Sequence, residues 1–111
     1  MDVFFADPKL KKLCADEKTM DRKLGSRKAK LMRRRLAEFQ AAVTLSDIRA
    51  LPGPRCHELK GNRKGQLSVD LDHPHRLIFE PANNPTPTKP DGGLDWSRVT
   101  AVRIIEITDT H

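Results

Sequence analysis

No apolar run in this sequence approaches the ~20 residues that a membrane-spanning helix requires, so no membrane association is expected. The opening stretch MDVFFADPKLKK lacks a basic segment followed by a long apolar one and a small-residue cleavage site. No export signal is read there, and a cytoplasmic location is expected. Cysteine is scarce: Cys14 and Cys56 stand far apart in unrelated contexts, which argues against a disulfide framework and for two reduced, partly buried thiols. Neither CxxC nor HxxxH spacing occurs, so no metal site is expected. Internal repeats, low-complexity tracts and the P-loop fingerprint are likewise missing.

What remains is a chain of 111 residues, the size of one ordinary domain, here taken as residues 1–111. Hydrophobic residues at 37% and charged ones at 32% fit a globular protein with a polar surface. The formal net charge is +6 and the isoelectric point about 9.7. A basic small domain attracts polyanions and gains affinity by releasing their counterions, so RNA, DNA and an acidic protein all qualify as partners. Solubility alone also accounts for a charge of this size.

Val3 to Phe5 form a short β-prone run, and Asp7-Pro8 pairs an N-cap oxygen with a proline at the first helical position. Leu10, Leu13 and Cys14 continue at helical spacing, the pattern fades between Asp16 and Thr19, and Gly25 closes the segment. Ser26 is placed to cap a second helix, whose Ala29, Met32, Leu36, Phe39 and Val43 make one apolar stripe. Thr44 and Ser46 offer a cap for a short turn through Ile48 and Leu51, and Pro52-Gly53-Pro54 ends the helical half. From Arg55 the period becomes two. Leu67, Val69 and Leu71 share one strand face, with Gln66, Ser68 and Asp70 on the other. A turn at Asp72-His73-Pro74 leads to a strand over His75 to Glu80, and Ala101 to Thr108 reads as an interior strand. Ala82 to Trp96, rich in proline, is a long loop of the kind that is functional or mobile. The fold class is α+β: a short N-terminal strand, two helices packed on one face, and an antiparallel sheet.

Several groups are candidates for chemistry. Arg27, Lys28, Lys30, Arg33, Arg34 and Arg35 crowd the second helix away from its stripe, where they suit an RNA backbone or simply form the solvated side. The turn Lys60-Gly61-Asn62-Arg63-Lys64-Gly65 puts three cations on a hairpin tip, where glycine permits positive φ or close approach of a phosphate. A plain solubilising turn has the same composition. Cys56 adjoins His57, but strand neighbours point to opposite faces and cannot easily share a proton. His57 and His111 are left as acid–base candidates, since imidazole titrates nearest neutral pH.

HELKGNRKGQLSV, then HRLIFEP, then a strand running into Asp109-Thr110-His111 resembles the HigB branch of the RelE/ParE toxin superfamily, the "killer protein" toxins of type II toxin–antitoxin pairs. The likeness spans most of the chain, and its specific part is the LKG turn, the arginine of HRLIF and the terminal Asp-x-His. The resemblance implies a RelE-like fold and an mRNA endonuclease acting in the ribosomal A site without metal or other cofactor, by attack of the ribose 2′-OH on the adjacent phosphate. It assigns the site to His57, Lys60, Arg76, Asp109 and His111, with His57 or His111 moving protons and Lys60 and Arg76 stabilising charge. Arg33, Arg34, Arg63 and Lys64 would then contact RNA. Implied partners are mRNA, the ribosome and a HigA-like helix-turn-helix antitoxin.

One departure matters. Where the family ends in Asp-Tyr-His, Thr110 takes the middle place, and the chain contains no tyrosine. Threonine cannot stack on a base, which bears on cleavage rate or codon preference. Two other classes stay open: a ParE-like inhibitor of DNA gyrase on the same fold, and an RNA- or ribosome-binding module without cleavage activity. Clustered acid–base groups favour the nuclease, because an inhibitor of a protein has no need of them.

Overall fold

The computed structural model describes residues 1–109. The order of elements is β1 (Asp2–Phe5), α1 (Pro8–Ala15), α2 (Glu17–Leu24), α3 (Ser26–Ala41), α4 (Leu45–Arg49), β2 (His57–Glu58), β3 (Leu67–Asp70), β4 (His75–Pro81) and β5 (Ala101–Asp109). The strands form one sheet in the order β1-β5-β4-β3-β2, in which β1 runs parallel to β5 and all other pairs are antiparallel. Among the described residues no helix is long and apolar enough to cross a membrane.

The first helix starts as its cap predicts, with the Leu10 N–H donating to the Asp7 carboxylate at 2.8 Å. The break expected near Asp16 is real: Asp16 leaves the helical region and caps α2, so the helical half holds four helices where two were expected. Donation from the Thr19 hydroxyl and the Lys18 N–H lowers the Asp16 pKa. Gly25 closes α2 and is also the N-cap of α3, at φ 83°, where a side chain would be strained. Ser26 is therefore the first residue of α3 rather than its cap, and no side chain caps that helix. The short turn after Thr44 is α4, whose Asp47 carboxylate accepts from the Val43 and Thr44 N–H groups.

Ala29, Met32 and Phe39 bury the stripe of α3 against Leu67, Val69, Leu77 and Phe79, and the Phe39 and Phe79 rings meet edge-on at 4.8 Å. Val43 does not belong to it. The backbone turns extended at Ala42, which is buried in its place, and Val43 is 75% exposed. Arg35 also departs from expectation: it is 6% exposed instead of solvated. Its Nε donates to the Asp70 carbonyl at 2.7 Å, one terminal nitrogen to the Gly53 carbonyl at 3.2 Å and the other to Glu38 at 2.9 Å.

The sheet is covered on both faces near its middle. Ser68 and Ile78, which alternate with the core residues of β3 and β4, are fully buried as well. Above them the Arg63 guanidinium bonds Gln66 at 3.1 Å and Glu106 on β5 at 2.8 Å, and so lies across β4. The loop 82–96 is not slack. Asn83 accepts from the Thr100 and Ala101 N–H groups, and Thr88 pairs with Leu94. Trp96 packs on the core, 5% exposed, beneath the Arg49 guanidinium 4.0 Å from its ring.

Replacing Arg35 by Ala removes a buried cation and strands three acceptors, so stability should fall by roughly 3 kcal/mol. Urea denaturation measures this, and a loss under about 0.5 kcal/mol would show that the network does not hold α3 to the sheet.

Candidate active site

Strand register assembles the site. His57 on β2 pairs with Ser68 on β3, Ser68 with Ile78, and Asp70 with Arg76 on β4. Directly opposed residues of an antiparallel pair share a face. His57, Asp70 and Arg76 therefore stand on the face turned away from the helices, since Leu67, Val69, Leu77 and Phe79 occupy the other.

A terminal nitrogen of Arg76 lies 3.3 Å from His57 Nε2, and His57 Nδ1 lies 3.0 Å from the Arg55 carbonyl. Guanidinium only donates and a carbonyl only accepts. The neutral ring thus carries its proton on Nδ1, donates it to Arg55 and holds the Nε2 lone pair toward Arg76. In that tautomer Nε2 is the acceptor atom of the ring, engaged here by Arg76. Asp70 completes the cluster, with one carboxylate oxygen 3.5 Å from Arg76 Nε and the other 3.6 Å from Arg55 Nε. Arg55, Asp70 and Arg76 line a polar cleft of about 110 Å³ together with His73 and His75, and His57 touches it through Arg76 rather than lining it.

The other predicted residues are distributed unevenly. Lys60 is exposed at the start of the hairpin tip, which winds into one 3-10 turn over Gly61–Arg63. Gly61 and Gly65 take φ 63° and 91°, the left-handed values that require glycine there. Lys64 is exposed, while Arg63 is engaged with Gln66 and Glu106. Asp109 pairs with His75, one position beyond the Arg76 and Thr108 pair. His111 and Thr110 lie outside the described residues. Arg33 and Arg34 belong to the helical layer on the other side of the sheet, paired with Asp21 at 3.0 Å and Glu38 at 3.7 Å.

Two members of the cluster had no separate mark in the sequence. Asp70 reads there as the polar side of a strand, and only its register with Arg76 reveals the contact. Arg55 follows a Pro-Gly-Pro turn and adopts φ 49°, which no local pattern announces.

Among the described residues no group of three or more His, Cys, Asp or Glu is arranged to hold a metal ion. A larger concavity, about 560 Å³, lies on α1 and α2 and carries Lys9, Lys12, Arg22 and Lys23 without a histidine. It has cations but no proton acceptor of the right kind, so the smaller cleft is the better candidate for chemistry. Burial pushes the Cys14 thiol up to about 11 and the Cys56 thiol up to about 12. Cys56 is thus a poor nucleophile despite adjoining His57.

The family model described as "RelE-like toxin of type II toxin-antitoxin system HigB" matches residues 3–88, a span that includes His57, Lys60 and Arg76 and ends before β5. The chain is also similar to Toxin HigB-1 of Vibrio cholerae serotype O1 (strain ATCC 39315 / El Tor Inaba N16961). Identity is 35% over 80 residues, covering 72% of this chain and 83% of that protein.

Both thiols should resist a disulfide reagent at pH 8 in the folded protein and react readily in denaturant. A raised folded-state thiol pKa also makes stability fall as pH climbs from the ordinary thiol value near 9.0 through about 12. Rapid labelling of two thiols in the native protein would contradict this burial.

Proposed function

The chain belongs to the HigB-like family of RelE-like type II toxins, and from that membership we propose that it is a ribosome-dependent endoribonuclease that cleaves mRNA through the ribose 2′-OH. The observation that carries this reading is the arrangement of His57: its Nδ1 faces a backbone carbonyl and its Nε2 faces Arg76. A type II toxin implies a cognate antitoxin, and a helix-turn-helix protein that covers the basic cleft is the expected partner.

In the proposed reaction His57 Nε2 takes the proton of the 2′-OH as that oxygen attacks the adjacent phosphorus. The bond from phosphorus to the 5′-oxygen breaks, leaving a 2′,3′-cyclic phosphate and a 5′-hydroxyl. The leaving oxygen needs a proton, and His111, carried over from the resemblance, is the proposed donor. Negative charge grows on the phosphorane oxygens. Arg76, 15% exposed beside His57, and Lys60 at the hairpin tip are the proposed partners for it. Lys64 and the hairpin dock on ribosomal or messenger RNA. Arg33 and Arg34 are less suited to the same strand, because they stand on the helical side.

The test is cleavage of a short mRNA with and without programmed ribosomes, in EDTA, with RNA ends mapped. Cleavage is expected only with ribosomes. His57→Ala and Arg76→Ala should each reduce it by roughly two to three orders of magnitude while retaining the native melting curve. Failure of the wild-type protein to cleave in either condition, together with inhibition of gyrase supercoiling, would replace this reading with the inhibitor one. Thr110→Tyr should preserve or raise the cleavage rate if stacking at that position contributes. A clear drop would show that the site uses another contact.

A further inference from the structure

We propose that Arg63 is a strap that positions the hairpin tip, and Lys60 with it, by reaching across the sheet to Glu106, and that it makes no contact with RNA. The inference rests on the nuclease reading for the part that Lys60 plays in the chemistry. It reassigns a cation that the resemblance places against RNA.

Strand register lays out the path of the strap. His57 pairs with Ser68, Ser68 with Ile78 and Ile78 with Glu106, so these four residues form one row across β2, β3, β4 and β5. Directly opposed residues of a sheet share a face. Arg63 leaves the chain on the hairpin between β2 and β3, yet its guanidinium meets Glu106, at the far end of that row, at 2.8 Å and Gln66 at 3.1 Å. Ser68 and Ile78, the two residues between the ends of the row, are fully buried.

The same residue fixes the backbone of the tip. The Arg63 N–H donates to the Lys60 carbonyl at 3.2 Å, and the Arg63 carbonyl accepts from the Gln66 N–H at 2.9 Å, closing the turn that begins at Lys60. At both glycines the turn stands clear of its surroundings, since a Cβ added at Gly61 or Gly65 would meet nothing within 4 Å. A shift of Arg63 is therefore passed to Lys60 through a single backbone bond.

Charge separates this role from that of an RNA contact. Both terminal nitrogens of Arg63 are engaged by side-chain oxygens and its charge is met by the Glu106 carboxylate, whereas Lys60 and Lys64 on the same tip are exposed. A phosphate gains little by displacing a carboxylate already held in a charge-assisted hydrogen bond of normal length. With its two side chains 34% and 46% exposed, the pair adds little to global stability. Its contribution is the place of the tip.

The experiment compares Arg63→Gln, Glu106→Gln and the exchanged pair Arg63→Glu with Glu106→Arg in the full chain, by amide hydrogen exchange and by cleavage of mRNA on programmed ribosomes. Each single variant should melt as the wild type does, yet exchange the amides at positions 63 and 66 roughly tenfold faster. Each should also lower kcat roughly tenfold with KM within about twofold, because a misplaced Lys60 costs rate more than binding. The exchanged pair should restore both readings. A direct RNA contact predicts the opposite for Glu106→Gln, which would free Arg63 and leave kcat unharmed. That result, unchanged exchange in both single variants, or an exchanged pair that restores neither reading would each overturn the strap. Cleavage by the wild type with normal kcat in Glu106→Gln removes the strap and keeps the nuclease. If the wild type does not cleave, the nuclease reading falls and the exchange pattern alone decides the strap.

Discussion

A single buried guanidinium ties the helical layer to the chemical one. Arg35 reaches from the middle of α3 to the carbonyl that ends β3, to the carbonyl of Gly53 in the turn that follows the helices, and to Glu38 on its own helix. Those two carbonyls flank the segment from which Arg55 and His57 emerge. Desolvating an arginine is costly unless its donors are met. Here they are met by groups from three separate stretches of chain, so the penalty of losing any one of them fixes the relative position of all three.

Alternation along β4 then divides the labour. Leu77 and Phe79 go to the core, while Arg76 and Ile78 go to the other face, where Arg63 shields the apolar residue and leaves the charged one beside the cleft. A sheet with both faces loaded keeps the His57, Asp70 and Arg76 cluster on a rigid frame. His57 and Arg55 sit at its short edge, on β2 and the segment before it, where a two-residue strand supplies few ladder bonds of its own. The Trp96 indole N–H, which donates to Glu58 Oε2 at 3.2 Å, adds a restraint from outside the ladder.

Much of this was legible in the sequence because it depends on local rules. The Asp7-Pro8 start, the fade at Asp16, the glycine between two helices and the change of period after Arg55 each follow from backbone preferences acting over a few residues. Reading failed where a residue's fate depends on distant partners. Arg35 looked like one more surface cation, since nothing near it announces the two carbonyls it meets. Val43 kept the helical spacing after the helix had ended. Ser68 read as an outward residue because the cover that Arg63 makes with Glu106 comes from 43 positions away in sequence. At the candidate site, His57 and Arg76 were singled out through their motifs. Their contact, and Asp70 and Arg55 beside it, arise from the pairing of β2, β3 and β4, which spacing alone does not reveal.

The proline-rich segment between β4 and β5 has an evolutionary corollary. It is fastened by Asn83 at its start, by the Thr88 and Leu94 bridge in the middle and by Trp96 at its end, and Trp96 holds the residue next to His57. A surface loop ordinarily drifts in length without cost, because its ends are anchored and its middle is not. This one is tied to β2 through Glu58, the neighbour of His57. Insertions and deletions here would disturb three anchors at once, so the segment is expected to change among close relatives by substitution more readily than by length.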